Sequence, residues 1–472
     1  MNGEIALNFL KNNEATFTKA SDKIWQFAEV ALREHRSAKV LEKLFQDAGF
    51  QLEVGVAGMP TAFIATWGEG KPVIGFLGEY DALPGLSQKA VPIKDPVQEG
   101  APGHGCGHNL LGVGGAAAAI ATKEEMSSRG IKAILKYFGC PAEEIGVGKI
   151  YMSAHHYFDG LSCMLTWHPA LTNNVRMSAN NAKDSAKFRF YGQTAHAAST
   201  PHTGKSALDA CILMDVATNY LREHIIQDAR IHSVITHGGE EPNVVPAYAE
   251  IWYYVRAPKR RFVEEIYARV VKNAEAAALM TETTFDIEFL SASHEYIRNF
   301  KLGQVMQENL LKVGPPKFTK EDKEFAAELA KSIPMEVKEN VLTENIVPQD
   351  LMNKNFHEGI LENHGIGKIT HGSADTGDVS YQAPLAQLQV ATRVLGAPGH
   401  AWQTTATQGM SIGHKGMMVA ARVIALTALD LIQKPDLLRE AYDEWAEATK
   451  NNPYQCAFPE GAVPNLEQVK IH

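Results

Sequence analysis

Cys106 and His108 stand two residues apart in the stretch Gly103-His104-Gly105-Cys106-Gly107-His108-Asn109. Thiolate and imidazole are both good ligands for zinc-like metals. The glycines let the backbone bend sharply enough for the two side chains to converge. A glycine-rich turn with incidental polar groups is the plainer reading, and a cysteine nucleophile is the other active one. Catalytic Cys and His usually come from distant parts of a chain, so the short spacing favours metal binding.

Glu143 and Glu144 follow Gly139-Cys140-Pro141-Ala142. Neighbouring side chains on extended backbone point to opposite sides. One carboxylate can then bind a metal while the other serves a water molecule as general base. Paired glutamates also occur on solvated surfaces, and what raises this pair is its place directly after an apolar run. His168, in Thr166-Trp167-His168-Pro169, and His400, in Gly399-His400-Ala401-Trp402, are single histidines that could add ligands or serve structure. Asp81, in Gly78-Glu79-Tyr80-Asp81-Ala82-Leu83-Pro84-Gly85, could orient a metal-binding histidine. A turn-stabilising aspartate explains it equally well. His196 and Asn243 could donate to a developing oxyanion, and Arg256 could grip a carboxylate with two parallel hydrogen bonds. Taken singly, each of these three reads first as an ordinary surface or turn residue.

Residues 72–77 (PVIGFL), 133–138 and 162–167 are apolar runs, as in strands covered on both faces, and residues 110–125 between them read as helix. This alternation predicts an α/β fold with a mixed, largely parallel sheet flanked by helices. The candidate residues fall just after the strand-like runs, at the carboxyl ends where open α/β sheets collect ligands. Residues 1–50 carry helical spacing, with Ile24, Phe27, Ala28, Ala31 and Leu32 as one set and Val40, Leu41, Leu44 and Phe45 as another.

The middle of the chain is different. Residues 186–191, 231–236, 247–255 and 284–290 read as strands, and 206–224 and 261–280 as helices. The order β-α-β-β-α-β is the split arrangement of a ferredoxin-like α+β unit. An inserted domain is therefore expected at 182–291, between a first part at 1–181 and a second at 292–472 of one catalytic domain. On the helix 206–224, Leu208, Cys211, Ile212 and Val216 are expected to share the buried face. The polar residues 317–351 read as a helical excursion with a mobile loop.

The chain has 472 residues, of which 45% are hydrophobic and 21% charged, the balance of a soluble globular protein with two domains. A formal net charge of -9 and the lack of a basic block argue against a nucleic-acid partner. No membrane span is expected: residues 417–432 are apolar but contain Arg422 and Asp430, and read as a buried helix. Residues 1–20 lack an apolar signal core. Five irregularly spaced cysteines argue against a disulfide framework and for a reducing cytoplasm.

In combination, the segments GEYDALPGLSQ, GHGCGHNLLG, FGCPAEE, LTWHP, AHAA, STPH, PNVV, RAP, ALMTETT, DTGDVS and SIGHKGM, in this order, resemble one family over nearly the whole chain. It is the di-metal aminoacylase, carboxypeptidase-G-type and indole-acetyl-amino-acid hydrolase group. The resemblance implies a di-zinc-peptidase-like catalytic domain, an inserted lid domain that usually dimerises, and two divalent ions, zinc or manganese. It implies that Cys106, His108, Glu144, His168 and His400 are metal ligands and that Glu143 is the general base. Cys106 takes a place that related peptidases fill with aspartate. His196, Asn243 and Arg256 match lid residues that contact substrate or oxyanion, often from the partner subunit. Asp375 and Asp378 lie in a matching segment with no role assigned. The expected substrate is a small N-acyl amino acid with an aromatic acyl group, p-aminobenzoyl-glutamate first and indole-acetyl-aspartate or another N-acyl amino acid second. A homodimer is expected, with a paired homologous subunit as the alternative. A non-catalytic metal-binding dimer is the reading from a different class, and the presence of Glu143 beside Glu144 argues against it.

Overall fold

The computed structural model describes residues 3–466; residues 1–2 and 467–472, the outer ends of the expected catalytic segments, lie outside the described residues. The chain divides into two compact units, one of Met1–Ala179, Ile297–Thr370 and Asp378–His472, the other of Asn180–Tyr296 and His371–Gly377.

The first unit is built on a seven-stranded sheet in the order Gln51–Val54, Phe63–Gly68, Ile134–Cys140, Val73–Glu79, Cys163–Ala170, Leu385–Ala391, Asn174–Val175. The four strands from Ile134–Cys140 to Leu385–Ala391 run parallel, and the outer pairings are antiparallel. Phe76, Leu135, Trp167 and Leu388 from the strands share one core with Val113, Ala117 and Ile424 from helices. Truncating Phe76 or Trp167 to alanine would cost about 3–5 kcal/mol.

The helix His108–Arg129 lies directly on the strand Val73–Glu79 because two of its three glycines, Gly112 and Gly115, face that strand. A Cβ on Gly112 would come within 2.6 Å of the Glu79 carbonyl oxygen, and one on Gly115 within 2.8 Å of that of Leu77. This close approach sets the first residue of the helix, His108, against the strand end that carries Asp81. The helix Ser411–Gln433 is, among the described residues, the one long and apolar enough to cross a membrane, and 78% of its apolar window is buried inside the chain.

Some expectations are corrected. The second helix is Glu14–Phe27, and the chain leaves it at Ala28, whose φ is 45°. Ala28, Ala31 and Leu32 therefore lie outside any helix. A tertiary contact overrides their spacing: the Glu29 carbonyl accepts the Ala82 N–H at 2.8 Å, and the Glu29 carboxylate accepts the Ser37 N–H, at the start of the next helix, at 2.8 Å. The helical excursion expected within 317–351 is present as the helices Lys320–Ala330 and Met335–Glu344, the first opened by a capping box of Thr319 and Asp322.

The second unit follows the split order: strand Ala182–Tyr191, helix Ala207–Leu221, strands Arg230–His237 and Tyr248–Ala257, helix Arg260–Thr281, strand Thr284–Ser293. Its antiparallel sheet runs Thr284–Ser293, Ala182–Tyr191, Tyr248–Ala257, Arg230–His237, a ferredoxin-like arrangement. Arg260 and Asp184 form a buried ion pair within it. On the helix Ala207–Leu221 the buried face is Ala207, Ala210, Cys211, Met214, Thr218 and Leu221. Ile212 and Val216, expected inside, are 45% and 46% exposed. Ala207, Ala210, Met214 and Leu221 face the sheet, whereas Ile212 and Val216 turn outward.

Candidate metal centre

Parallel strands bring their carboxyl ends to one edge, and the candidate residues of the first unit collect there. Asp81 lies just past Val73–Glu79, Cys106 and His108 at the start of the helix His108–Arg129, and Glu143 and Glu144 just past Ile134–Cys140. His168 stands on Cys163–Ala170, and His400 between Leu385–Ala391 and the helix Trp402–Gln408. Two of these loops hold a non-glycine residue in left-handed backbone, Ala142 at φ 59° and His400 at φ 55°. Such conformations cost about 1–3 kcal/mol each and persist where the surroundings fix them. Here the Ala142 N–H donates to the buried Glu34 carboxyl at 2.9 Å, and the His400 N–H donates to the Gly105 carbonyl at 3.1 Å.

Asp81 is the organiser of the edge. Its Oδ1 lies 2.8 Å from His108 Nδ1, and its Oδ2 accepts the Glu144 N–H at 2.9 Å. With Nδ1 engaged, His108 presents Nε2 inward, 3.7 Å from Glu143 Oε2. Cys106 Sγ is 3.6 Å from His168 Nε2, and Glu144 Oε2 is 3.3 Å from His400 Nε2. The donor atoms of Cys106, His108 and His168 lie within 4.8 Å of one another, and so do those of Cys106, Glu144 and His400. Cys106 belongs to both sets, so one thiolate could be shared between two ions.

The chemistry of the set fits divalent cations. His108 Nε2, Glu144 Oε1 and Glu79 Oε2 are buried with no hydrogen-bond partner, a costly state that bound cations would relieve. Burial, reinforced by the Glu144 charge, pushes the Cys106 thiol up to about 12. Burial, with Asp81 and Glu79 adding, pushes Glu144 up to about 7. Anionic ligands held so unfavourably need a strong positive charge beside them, and metal ions supply it. Burial, then the neighbouring His108, lowers His168 to about 4, and the same two causes lower His400. Both imidazoles are therefore neutral, the form that binds metal. Burial opposes charge on His108 too, but Cys106 and Asp81 outweigh it and raise its pKa well above the ordinary value.

The three lid candidates lie in the second unit. His196 is exposed, and its Nδ1 accepts the Ala198 and Ser199 N–H groups, both at 3.2 Å. Asn243 is beside it, its carbonyl accepting the Ala197 N–H at 2.9 Å. Arg256 stands apart from both. It lies near the far end of the strand Tyr248–Ala257, paired with Lys183, whereas the near end pairs with Tyr191 next to the His196 loop. That separation is roughly 25 Å at about 3.3 Å per residue. Arg256 donates to Ser373 Oγ at 3.2 Å, and its buried Nε has no partner. Asp375 and Asp378 are fully buried, Asp378 accepting the Tyr454 hydroxyl at 3.1 Å.

Four site residues escaped the sequence reading. Glu79 was legible in principle, since it sits two residues before Asp81 on extended backbone and so on the same side. Glu34, Lys149 and Arg393 had no such signal. Lys149 is fully buried, with Nζ 2.7 Å from Glu79 Oε1. The buried Glu34 carboxyl, pushed up to about 8 by burial and by Asp81, ties down the Ala142 loop. The charge of Arg393 is felt at Cys106, His168 and His400.

A thiol, imidazoles and carboxylates converging at the carboxyl edge of an α/β sheet are the equipment of a metal-dependent hydrolase. Comparison with known proteins agrees. The peptidase dimerisation domain of the M20 family matches residues 179–282. The chain is 40% identical to one of the subunits of the p-aminobenzoyl-glutamate hydrolase of Escherichia coli over 460 residues, 95% of this chain and 96% of that protein. It is 30% identical to the Xaa-Arg dipeptidase of Mus musculus, covering 89% of this chain and 87% of the relative. A dinuclear metal-binding peptidase of the M20 family from Bacillus subtilis shares the fold, with a TM-score of 0.57 at 15% identity over 90% of this chain and 99% of the other. The chain belongs to the M20 family of di-metal aminoacylase and carboxypeptidase-G-type enzymes, and is a metal-dependent amidohydrolase.

Proposed function

We propose that this protein hydrolyses the amide bond of p-aminobenzoyl-glutamate, releasing p-aminobenzoate and glutamate. The observation that carries the reading is the place of Glu143, whose carboxylate lies 3.7 Å from the inward nitrogen of His108 while Cys106, Glu144, His168 and His400 surround the same space. The substrate follows from the likeness to the Escherichia coli enzyme.

Two divalent ions, zinc or manganese, held by Cys106, His108, Glu144, His168 and His400, would acidify water and polarise the amide carbonyl. Glu143 takes the proton of the attacking water and delivers it to the departing amine. Asp81 fixes the His108 tautomer and holds the Glu144 backbone, so two ligands are oriented by one carboxylate. Arg256 pairs with a carboxylate of the substrate, and His196 and Asn243 donate to the oxyanion. Arg393, with its unpartnered Nε, supports an anionic substrate.

The distance between Arg256 and the His196–Asn243 pair supports a site shared by two chains, since one small substrate cannot span it. Ile212, Val216 and Tyr220 form an outward row on the helix Ala207–Leu221, 45%, 46% and 75% exposed. The edge strand Arg230–His237 exposes Val234 at 54% and Ile235 at 41%. We assign these surfaces to a homodimer contact. Val216→Asp with Tyr220→Asp is expected to convert the dimer to a monomer in light scattering and to remove most activity with it. A monomeric wild type would point instead to a separate partner subunit. Five cysteines, none of them in a disulfide, fit a cytoplasmic location.

The test of the function is amino-acid release by zinc- or manganese-loaded protein from p-aminobenzoyl-glutamate, indole-acetyl-aspartate and an Xaa-Arg dipeptide. The expected order puts the first at least tenfold ahead in kcat/KM. Preference for either of the others would replace the substrate assignment and leave the hydrolytic centre as described.

A further inference from the structure

We infer that Glu79 is an additional ligand of the ion held by Cys106, His108 and His168, and that Lys149 holds it in position. Glu79 ends the strand Val73–Glu79, and its side chain is 4% exposed. Its two oxygens have different surroundings. Oε1 is 2.7 Å from Nζ of Lys149, which is itself fully buried. Oε2 points to His108 Nε2 at 3.3 Å, and neither atom has a hydrogen-bond partner.

The contact is close but lacks hydrogen-bond geometry, so two buried polar atoms face each other unsatisfied. Asp81 already engages Nδ1 of the same ring. In the neutral form that binds metal, with its proton on Nδ1 towards Asp81, the ring turns its Nε2 lone pair on a carboxylate oxygen, and a cation between the two relieves that repulsion. A divalent ion there satisfies both atoms at once. Glu79, His108 and Glu143 also bring donor atoms within 4.8 Å of one another, which places the carboxylate on the general-base side of the ion. Lys149 explains how an extra buried carboxylate is tolerated. It compensates the charge and keeps Oε1 occupied, so that Oε2 alone is available to a metal. Its helix, Gly148–Ala154, is packed so that the ammonium has no solvent exposure, and a lysine so placed is expensive unless paired.

The inference rests on ions binding at the Cys106 centre and is independent of the substrate. It is tested on the full-length protein with zinc alone. In a crystal structure of the zinc-loaded protein, Glu79 Oε2 is expected at about 2.0–2.2 Å from the ion that binds His108 and His168. In solution, chelator competition with Glu79→Gln is expected to show one ion bound at least tenfold more weakly and the other unchanged. Thermal melting confirms that the variant is folded, and Lys149→Met is expected to weaken the same ion without removing it. An Oε2 beyond bonding distance, whatever the affinity of the variants, would overturn the assignment and leave Glu79 as a positioning residue. A wild type that binds no zinc would overturn both this inference and the metal centre, whereas zinc binding without amidase activity would leave this inference standing.

Discussion

Glu143→Gln is expected to lower kcat on the hydrolysed amide by at least about 10²-fold while both ions stay bound. The side chain is only 12% exposed, so the isosteric amide fills the same space and the loop keeps its shape. What glutamine cannot do is accept the proton of the attacking water. A positioned general base contributes about 10²–10⁴ in rate, or about 3–5 kcal/mol of barrier. Glu143 belongs to neither of the donor sets built on Cys106 and shares donor distance only with Glu79 and His108, so metal content measured after dialysis should match that of the wild type. The neighbouring substitution is a contrast: Glu144→Gln removes a member of a donor set and should lower metal content as well as rate. A Glu143→Gln protein with full turnover would remove the base from the mechanism. One that lost its metal would move Glu143 into the ligand set.

Much of this arrangement was legible because buried parallel strands announce themselves. The runs at 72–77, 133–138 and 162–167 became the central strands, and the polar residues directly after them became the edge of the site. The split order of the second unit was legible for the same reason, since helix and strand periods alternate there. The edge of the first sheet was not. Gln51–Val54 is mostly exposed, so it has no apolar run to betray a strand. Ile212 and Val216 misled because an aliphatic residue on a helix reads as core, whereas here the outer face is apolar as well. Lys149 was illegible for the opposite reason. A lysine reads as solvated, and only the tertiary pairing with Glu79 makes it a buried residue. Ala28, Ala31 and Leu32 kept helical spacing after the helix had ended, because the next segment is tied to Ala82 beside the metal centre.

Cys106→Ala should strip the centre of both ions, an effect larger than loss of any other single ligand. His168 belongs to one donor set and His400 to the other, but Cys106 belongs to both. Removing either histidine should therefore leave one ion, and removing the thiol should leave none tightly held. The expected readout is metal content near zero after dialysis of Cys106→Ala, against one ion for His168→Ala, together with loss of turnover in each. Cys106→Asp separates this role from a nucleophilic one. A carboxylate can also bridge ions, and being harder than a thiolate it should favour manganese over zinc. A manganese-loaded Cys106→Asp protein that binds two ions and keeps measurable turnover would show that the sulfur serves as a ligand, since aspartate in its place cannot form a thioester. Two ions retained by Cys106→Ala would break the shared-ligand arrangement. The metal-free thiol supports the same conclusion. Held up at about 12 by burial and by Glu144, it is too weakly ionised to attack an amide, and it becomes a thiolate where a metal ion stands beside it.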